Sequence, residues 1–420
     1  MKFREKMRCR NGSRLEKGCD PRYNERKQEK TGTCRYARRV PIGGKAEKQM
    51  KLPETDRKPR RRLWLLLLLC YPAAAILLLL AECVPGFAEQ YARGPYAVYS
   101  RAGNFFSALF PFSLAEILLI LAAAFAVFWV VKQVVRIVRA KGARLREAGG
   151  SLLRLLCAAG VVLLLFQLNC GVNYSRDSFA ETCGLPVQES SREELETLCS
   201  SLAEKLNALR PEVAEDAEGV MTLSASFSSL GSDAGRAFHT LQKEYPLLTG
   251  GYSAPKPVLL SRLLSWCNIT GVFFPFTFEA NVNTDVPDYS VPSTMCHELS
   301  HLRGFMREDE ANFIGYLACC RSDNYDLQYS GLMLAFIHAN NALFAADAEK
   351  ASEIYNTLNA GTLRDLAANN AYWKQFEGPA AEVAEAVNDT YLKVNRQEDG
   401  VRGYGRMVDL LLAEQRANNR

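Results

Sequence analysis

Aliphatic side chains are scarce in the first 62 residues, and the stretch that follows, 63–81, carries no charge at all. Histidine is scarcer still, with four in 420 residues, and there is no glycine-rich phosphate loop and no internal repeat. Each shortage excludes something. A segment as poor in apolar residues as 1–62 cannot offset its chain entropy, so it reads as a basic, disordered tail. Cys9, Cys19 and Cys34 lack the C-x-x-C spacing of a zinc site. With 48% hydrophobic and 23% charged residues, the chain is not collagen-like, wholly disordered or a small disulfide scaffold.

The charge is unevenly placed. Residues 1–62 hold 22 Lys/Arg against 8 Asp/Glu, while the remainder is net negative within an overall charge of +5. The sequence pI of about 8.5 therefore reflects the head and gives no reason to expect a nucleic-acid partner. Arg60, Arg61 and Arg62 abut the uncharged run, as in a cytoplasmic tail that sets membrane orientation.

Three apolar runs predict transmembrane helices over about 63–81, 114–131 and 155–169. Pro72 falls inside the first, where a kink is tolerated. Glu116 opens the second, where an acid can reach the interface or favour the helix N-terminus. The connection 132–154 is rich in Lys/Arg, whereas 82–113 has only Arg93 and Arg101 and many Tyr and Phe, as an interfacial segment would. The positive-inside rule then places the head and 132–154 in the cytoplasm, and residues 170–420 outside it. An extracytoplasmic body would favour pairing among its seven cysteines. Most of them also read as small buried hydrophobes, and the connectivity is open.

One constellation in the body carries chemistry. His297-Glu298-Leu299-Ser300-His301 is an H-E-x-x-H, and two of the four histidines fall in it. On a helix, residues i and i+4 share a face. The two imidazoles can then hold one Zn2+ while Glu298 serves as general base toward a bound water. Pro292 suits the start of that helix and Gly304 its stop. The Phe- and Val-rich segment 271–283 reads as a strand, whose edge could align an extended peptide.

A catalytic zinc needs a third protein ligand. If a second helix starts near Arg307, Glu308, Ala311, Asn312, Gly315 and Cys319 share one mostly small face, while Glu310 lies opposite among apolar residues. Glu308 is the preferred ligand and Glu310 the reserve. Asn312 could hydrogen-bond a ligand histidine. Tyr316, Tyr325, Tyr329 and His338 are the candidate oxyanion donors, with Tyr329 put first. Arg307 stands where the metzincin pattern has its third histidine, and a guanidinium cannot ligate zinc.

H-E-x-x-H followed by Glu308-x-x-Ala311-Asn312 resembles the gluzincin metallopeptidases. That resemblance implies His297, His301 and Glu308 as ligands, Glu298 as base and Asn312 as support. It also implies a zincin fold. Only six residues separate His301 from Glu308, a short connection for that clan. More closely, the layout resembles a family of bacterial membrane proteins classed only as a domain of unknown function. The resemblance rests on three N-terminal spans, the run from Pro111-Phe112-Ser113 to Glu116, the run from Pro275-Phe276-Thr277 to Glu279-Ala280-Asn281, and the zinc segment.

The expected protein is thus a multi-pass cell-membrane protein. Residues 1–62 form a tail, 63–169 hold three transmembrane helices, and 170–420 form a mostly helical α+β, zincin-like (gluzincin) domain with a small sheet. Its expected activity is zinc-dependent hydrolysis of protein or peptide substrates near the bilayer. The alternative is a non-catalytic, zinc-stabilised sensing or partner-binding domain.

Overall fold

The computed structural model describes residues 64–395 and 406–418. The basic tail expected over 1–62 lies outside the described residues.

Three helices are long and apolar enough to cross a membrane: Trp64–Cys83, Leu114–Arg139 and Arg144–Asn169. The regular part of the first, Cys70–Cys83, is α1. A short helix, α2 (Phe87–Tyr91), runs through a π-helical turn at Ala92–Tyr96 into α3 (Ala97–Ala108). The second and third long helices are α4 (Leu114–Arg139) and α5 (Arg144–Asn169). Both outrun the expected bounds of 131 and 155. Their added turns are charged, and Arg and Lys are good helix formers, so the helix continues where the apolar run stops. A four-residue turn with Gly142 at φ 77° joins them. The Tyr71 hydroxyl donates to the Leu156 carbonyl at 2.9 Å, pinning α1 to α5.

The body is mostly helical. Its helices include α6 (Arg192–Leu209), α7 (Phe227–Leu241), α8 (Ser261–Trp266), α9 (Val291–Leu302), α10 (Glu308–Cys320), α11 (Tyr325–Ala346), α12 (Ala360–Lys374), α13 (Pro379–Val394) and α14 (Arg406–Asn418), with shorter ones at Phe179–Cys183 and Ala348–Tyr355. A reciprocal cap, Ser191 with Glu194, starts α6 where the leucine spacing predicts a helix. The sheet has order β1-β3-β2, with β1 (Lys256–Pro257) parallel and β2 (Gly271–Phe274) antiparallel to β3 (Glu279–Val282). The single strand expected over 271–283 is therefore a hairpin. Pro275 lacks a ladder donor and Phe278 turns at φ 54°, so the chain reverses between them. Among the described residues all ten cysteines are free thiols.

The first connection, 82–113, packs into the body. Tyr96 is 1% exposed, and its hydroxyl sits 3.4 and 3.3 Å from the carbonyls of His301 and Leu302, at the C-terminal end of α9. Buried Arg176 bonds Glu89 on one side and the Arg303 carbonyl on the other. The orphan carbonyls that end α9 are thus met by Tyr96 of the first connection and by Arg176, which is itself tied to Glu89 of that connection.

Glu116 is likewise not at a free interface. Its carboxylate accepts the N–H groups of Leu259 and Leu260 at 2.9 and 2.8 Å. Reciprocally, Glu279 of β3 accepts the N–H groups of Leu114 and Ala115 at 3.1 and 2.8 Å. A carboxylate at those orphan donors also complements the helix dipole. Ser113 caps α4 and donates to Asn281 at 2.6 Å, while buried Lys256 pairs with Glu279. The segments 111–116 and 275–281 are therefore the two halves of one joint.

Glu279→Gln should leave Lys256 buried without its counter-charge and lower stability by about 3–5 kcal/mol. Thermal unfolding in detergent checks this. A melting temperature equal to wild type would show that the pair holds nothing together.

Candidate metal centre

Helix α9 carries the H-E-x-x-H and starts with Pro292 in its first turn. It ends at Gly304, whose φ of 83° suits a residue without Cβ; an added Cβ there would meet Arg176, Asn173 and Tyr96, each at 3.2 Å. The chain turns back at once into α10, whose first residue is Glu308. The small face of α10 makes the approach possible. A Cβ on Gly315 would lie 3.1 Å from the backbone nitrogen of His297.

This packing gathers His297, His301 and Glu308, whose ligating atoms all lie within 4.8 Å of one another. The two Nε2 atoms are 3.0 Å apart. Glu308 Oε2 is 3.1 Å from His297 Nε2, and Oε1 is 3.7 Å from His301 Nε2. On the far side of the rings, His297 Nδ1 is 2.7 Å from Asn312 Oδ1 and His301 Nδ1 is 2.7 Å from the Phe305 carbonyl. Oxygens accept, so each Nδ1 carries a hydrogen, and in the neutral ring each Nε2 turns its lone pair to the centre. Two lone pairs and a carboxylate facing one point repel unless a cation lies among them. Zinc with ligand bonds of about 2.0–2.2 Å in a tetrahedron separates its ligand atoms by about 3.3–3.5 Å, close to the spacings here. The residues fit a zinc ion.

The electrostatics differ between the two imidazoles. Burial pushes His301 down to about 4, which keeps it neutral. Burial also opposes charge on His297, but the hydrogen bond and charge of Glu308 outweigh it and raise that imidazole to about 9. Burial alone would raise Glu308, yet both imidazoles hold it below the usual carboxylate value.

Glu298 is 3% exposed and lies outside the ligand group. Burial raises it to about 8, and its Oε2 has no hydrogen-bond partner. It faces β2: the Phe273 N–H bonds its carboxylate, and a Cβ on Gly271 would stand 2.4 Å from its Oε1. Gly271 is therefore glycine because the strand passes so close to Glu298. The centre opens into a cavity of about 730 Å³, walled on one side by Gly271, Val272 and Phe273. Since β3 pairs only one side of β2, the strand is an edge at the cleft.

Other expected residues lie elsewhere. Glu310 points away, accepting the Phe179 N–H at 2.7 Å and pairing with Arg307 at 3.3 Å, so it cannot serve as the reserve ligand. Tyr329 is fully buried and donates to Asp365 at 2.6 Å, so it does not face the cleft. Its hydroxyl is consumed by a buried acid. Tyr316, Tyr325 and His338 do not line the cleft either. Tyrosines that do include Tyr289, Tyr174 and Tyr391, the hydroxyls of the last two 3.0 Å apart. Burial raises both, with the Glu308 charge adding to it. No sequence spacing joins a residue just after α5 to one on α13.

A family profile matches residues 91–412, three quarters of the chain. The chain belongs to that family, described as a protein of unknown function, DUF3810. The match begins within the first connection and runs through α4, α5 and the body, so the family unit includes the joint described above. No curated protein and no solved structure matches.

Glu308→Gln should release zinc from the purified full-length protein, whereas Glu310→Gln should keep about one zinc per chain. Elemental analysis of the two variants checks the assignment. The reverse pattern would move the third ligand to Glu310.

Proposed function

We propose that this chain is a membrane-tethered zinc metallopeptidase with a zincin-like body of gluzincin type. The observation that carries the reading is the pair of inward-facing Nε2 lone pairs beside Glu308, with a buried carboxylate that is not a ligand next to them. A purely structural site has no use for Glu298. His297, His301 and Glu308 would hold the ion, and Asn312 and the Phe305 carbonyl would fix the tautomers. When bound, zinc supplies Lewis acidity that polarises a carbonyl and acidifies a water.

The chain's own residues supply the rest. Glu298 accepts the proton of the attacking water and returns it to the leaving amine. The free side of β2 pairs with an extended polypeptide, setting the scissile bond across from Glu298. Tyr174 and Tyr391 take the place of Tyr329 as hydroxyl donors for the developing oxyanion.

Three helices in a bilayer would put 1–62 and 132–154 on the cytoplasmic face and the body outside. The contact of α4's first turn with the body supports placing 82–113 on the body's side. Substrates are then extracytoplasmic proteins or peptides near the membrane.

Glu298→Gln should retain zinc and thermal stability but lose roughly 10²–10⁴-fold in turnover of a peptide library by the full-length protein. If Glu298→Gln instead complements a deletion strain as well as wild type, hydrolysis is not the function, and a zinc-stabilised binding domain replaces it.

A further inference from the structure

Three segments far apart in sequence converge where α4 begins. Asn104 of α3 donates to the Phe278 carbonyl at 2.9 Å, and the Phe278 ring lies where a Cβ on Gly103 would go, so the β2–β3 hairpin tip sits on α3. Glu116 in the first turn of α4 holds the backbone of Leu259 and Leu260. The joint therefore fixes α3, the hairpin tip and the start of α8 at one level along α4.

The outer side chains at that level are apolar. Phe106 is 65% exposed on α3, Leu259 84% and Leu263 59% around α8, with Trp266 and Phe276 exposed beside them. Large exposed apolar side chains gathered into one patch mark an interaction surface. The charges here point the same way. Residues 102–115 carry none, and within 257–278 the sole charge is Arg262. Aromatic side chains with sparse positive charge suit the headgroup level of a bilayer.

We propose that this surface of the body, formed by α3, the Leu259–Trp266 segment and the hairpin tip, rests in the interfacial layer of the lipid bilayer. This rests on α4 crossing that bilayer, since α4's first turn sets the depth of all three segments. The body is then seated on the membrane as well as tethered to it. Cys267 to Val272 and Pro275 connect the seated segments and also line the cleft, so the β2 side of the cleft lies against the membrane surface.

The test uses the full chain in lipid nanodiscs containing a phospholipid with a photoactivatable group high on its acyl chain, followed by peptide mapping of the adducts. Adducts are expected in 102–112 and 257–278 as well as in the three apolar helices. They should be absent around Phe344, which is 58% exposed at the end of α11. Leu259→Ser with Leu263→Ser, at exposed positions, should cut labelling of 257–278 several-fold and leave zinc content unchanged. Labelled apolar helices with 257–278 as bare as 340–346 would overturn the proposal while leaving the membrane spans intact. No adducts in α4 would remove both. Neither readout depends on catalysis, so a failed peptidase reading would be seen separately.

Discussion

Two imidazole Nε2 atoms face one another at 3.0 Å beside a carboxylate. This arrangement is unfavourable unless a cation lies among them, and much of the body's architecture enforces it. Asn312 and the Phe305 carbonyl fix the tautomers from behind, Gly304 turns the chain, and Gly315 lets α10 close on α9. The ends of α9 are secured in turn. Tyr96, from the connection between the first two apolar helices, and Arg176, just after the third, meet its last carbonyls. The centre depends on residues that a division into membrane part and soluble part would separate.

The joint around Glu279 extends the same dependence to α4. A buried lysine, a buried carboxylate and two helix-end amides satisfy each other there, and Glu116 repeats the device toward α8. Such groups are costly to bury singly and stable only as a set. Since β3 carries Glu279 and pairs with β2, the strand bordering Glu298 is positioned by the apolar helix.

What was legible in the sequence was periodic. The apolar helices declared themselves by length and lack of charge, and the i, i+4 histidines and the small face of α10 by helical spacing. Glu308 rather than Glu310 followed from the 100° wheel alone, and the structure brings Glu308 to the histidines. What could not be read was non-periodic or long-range. The run 271–283 has strand composition throughout, and only the missing donor of Pro275 hints at the hairpin. Glu116 looked like an interfacial acid because its partners, Leu259 and Leu260, lie 143 and 144 residues away. Tyr329 lies away from the cleft because Asp365 takes its hydroxyl, a contact no sequence spacing shows, and Tyr174 and Tyr391 meet through tertiary packing alone.

The most direct test of the central claim is zinc K-edge X-ray absorption on the full-length protein as purified. The account predicts about one zinc per chain with two imidazole nitrogens, the remaining shell oxygen, and no sulfur, even though Cys170 and Cys267 line the same cleft. A shell containing sulfur, or an unchanged spectrum in His297→Ala, would contradict it.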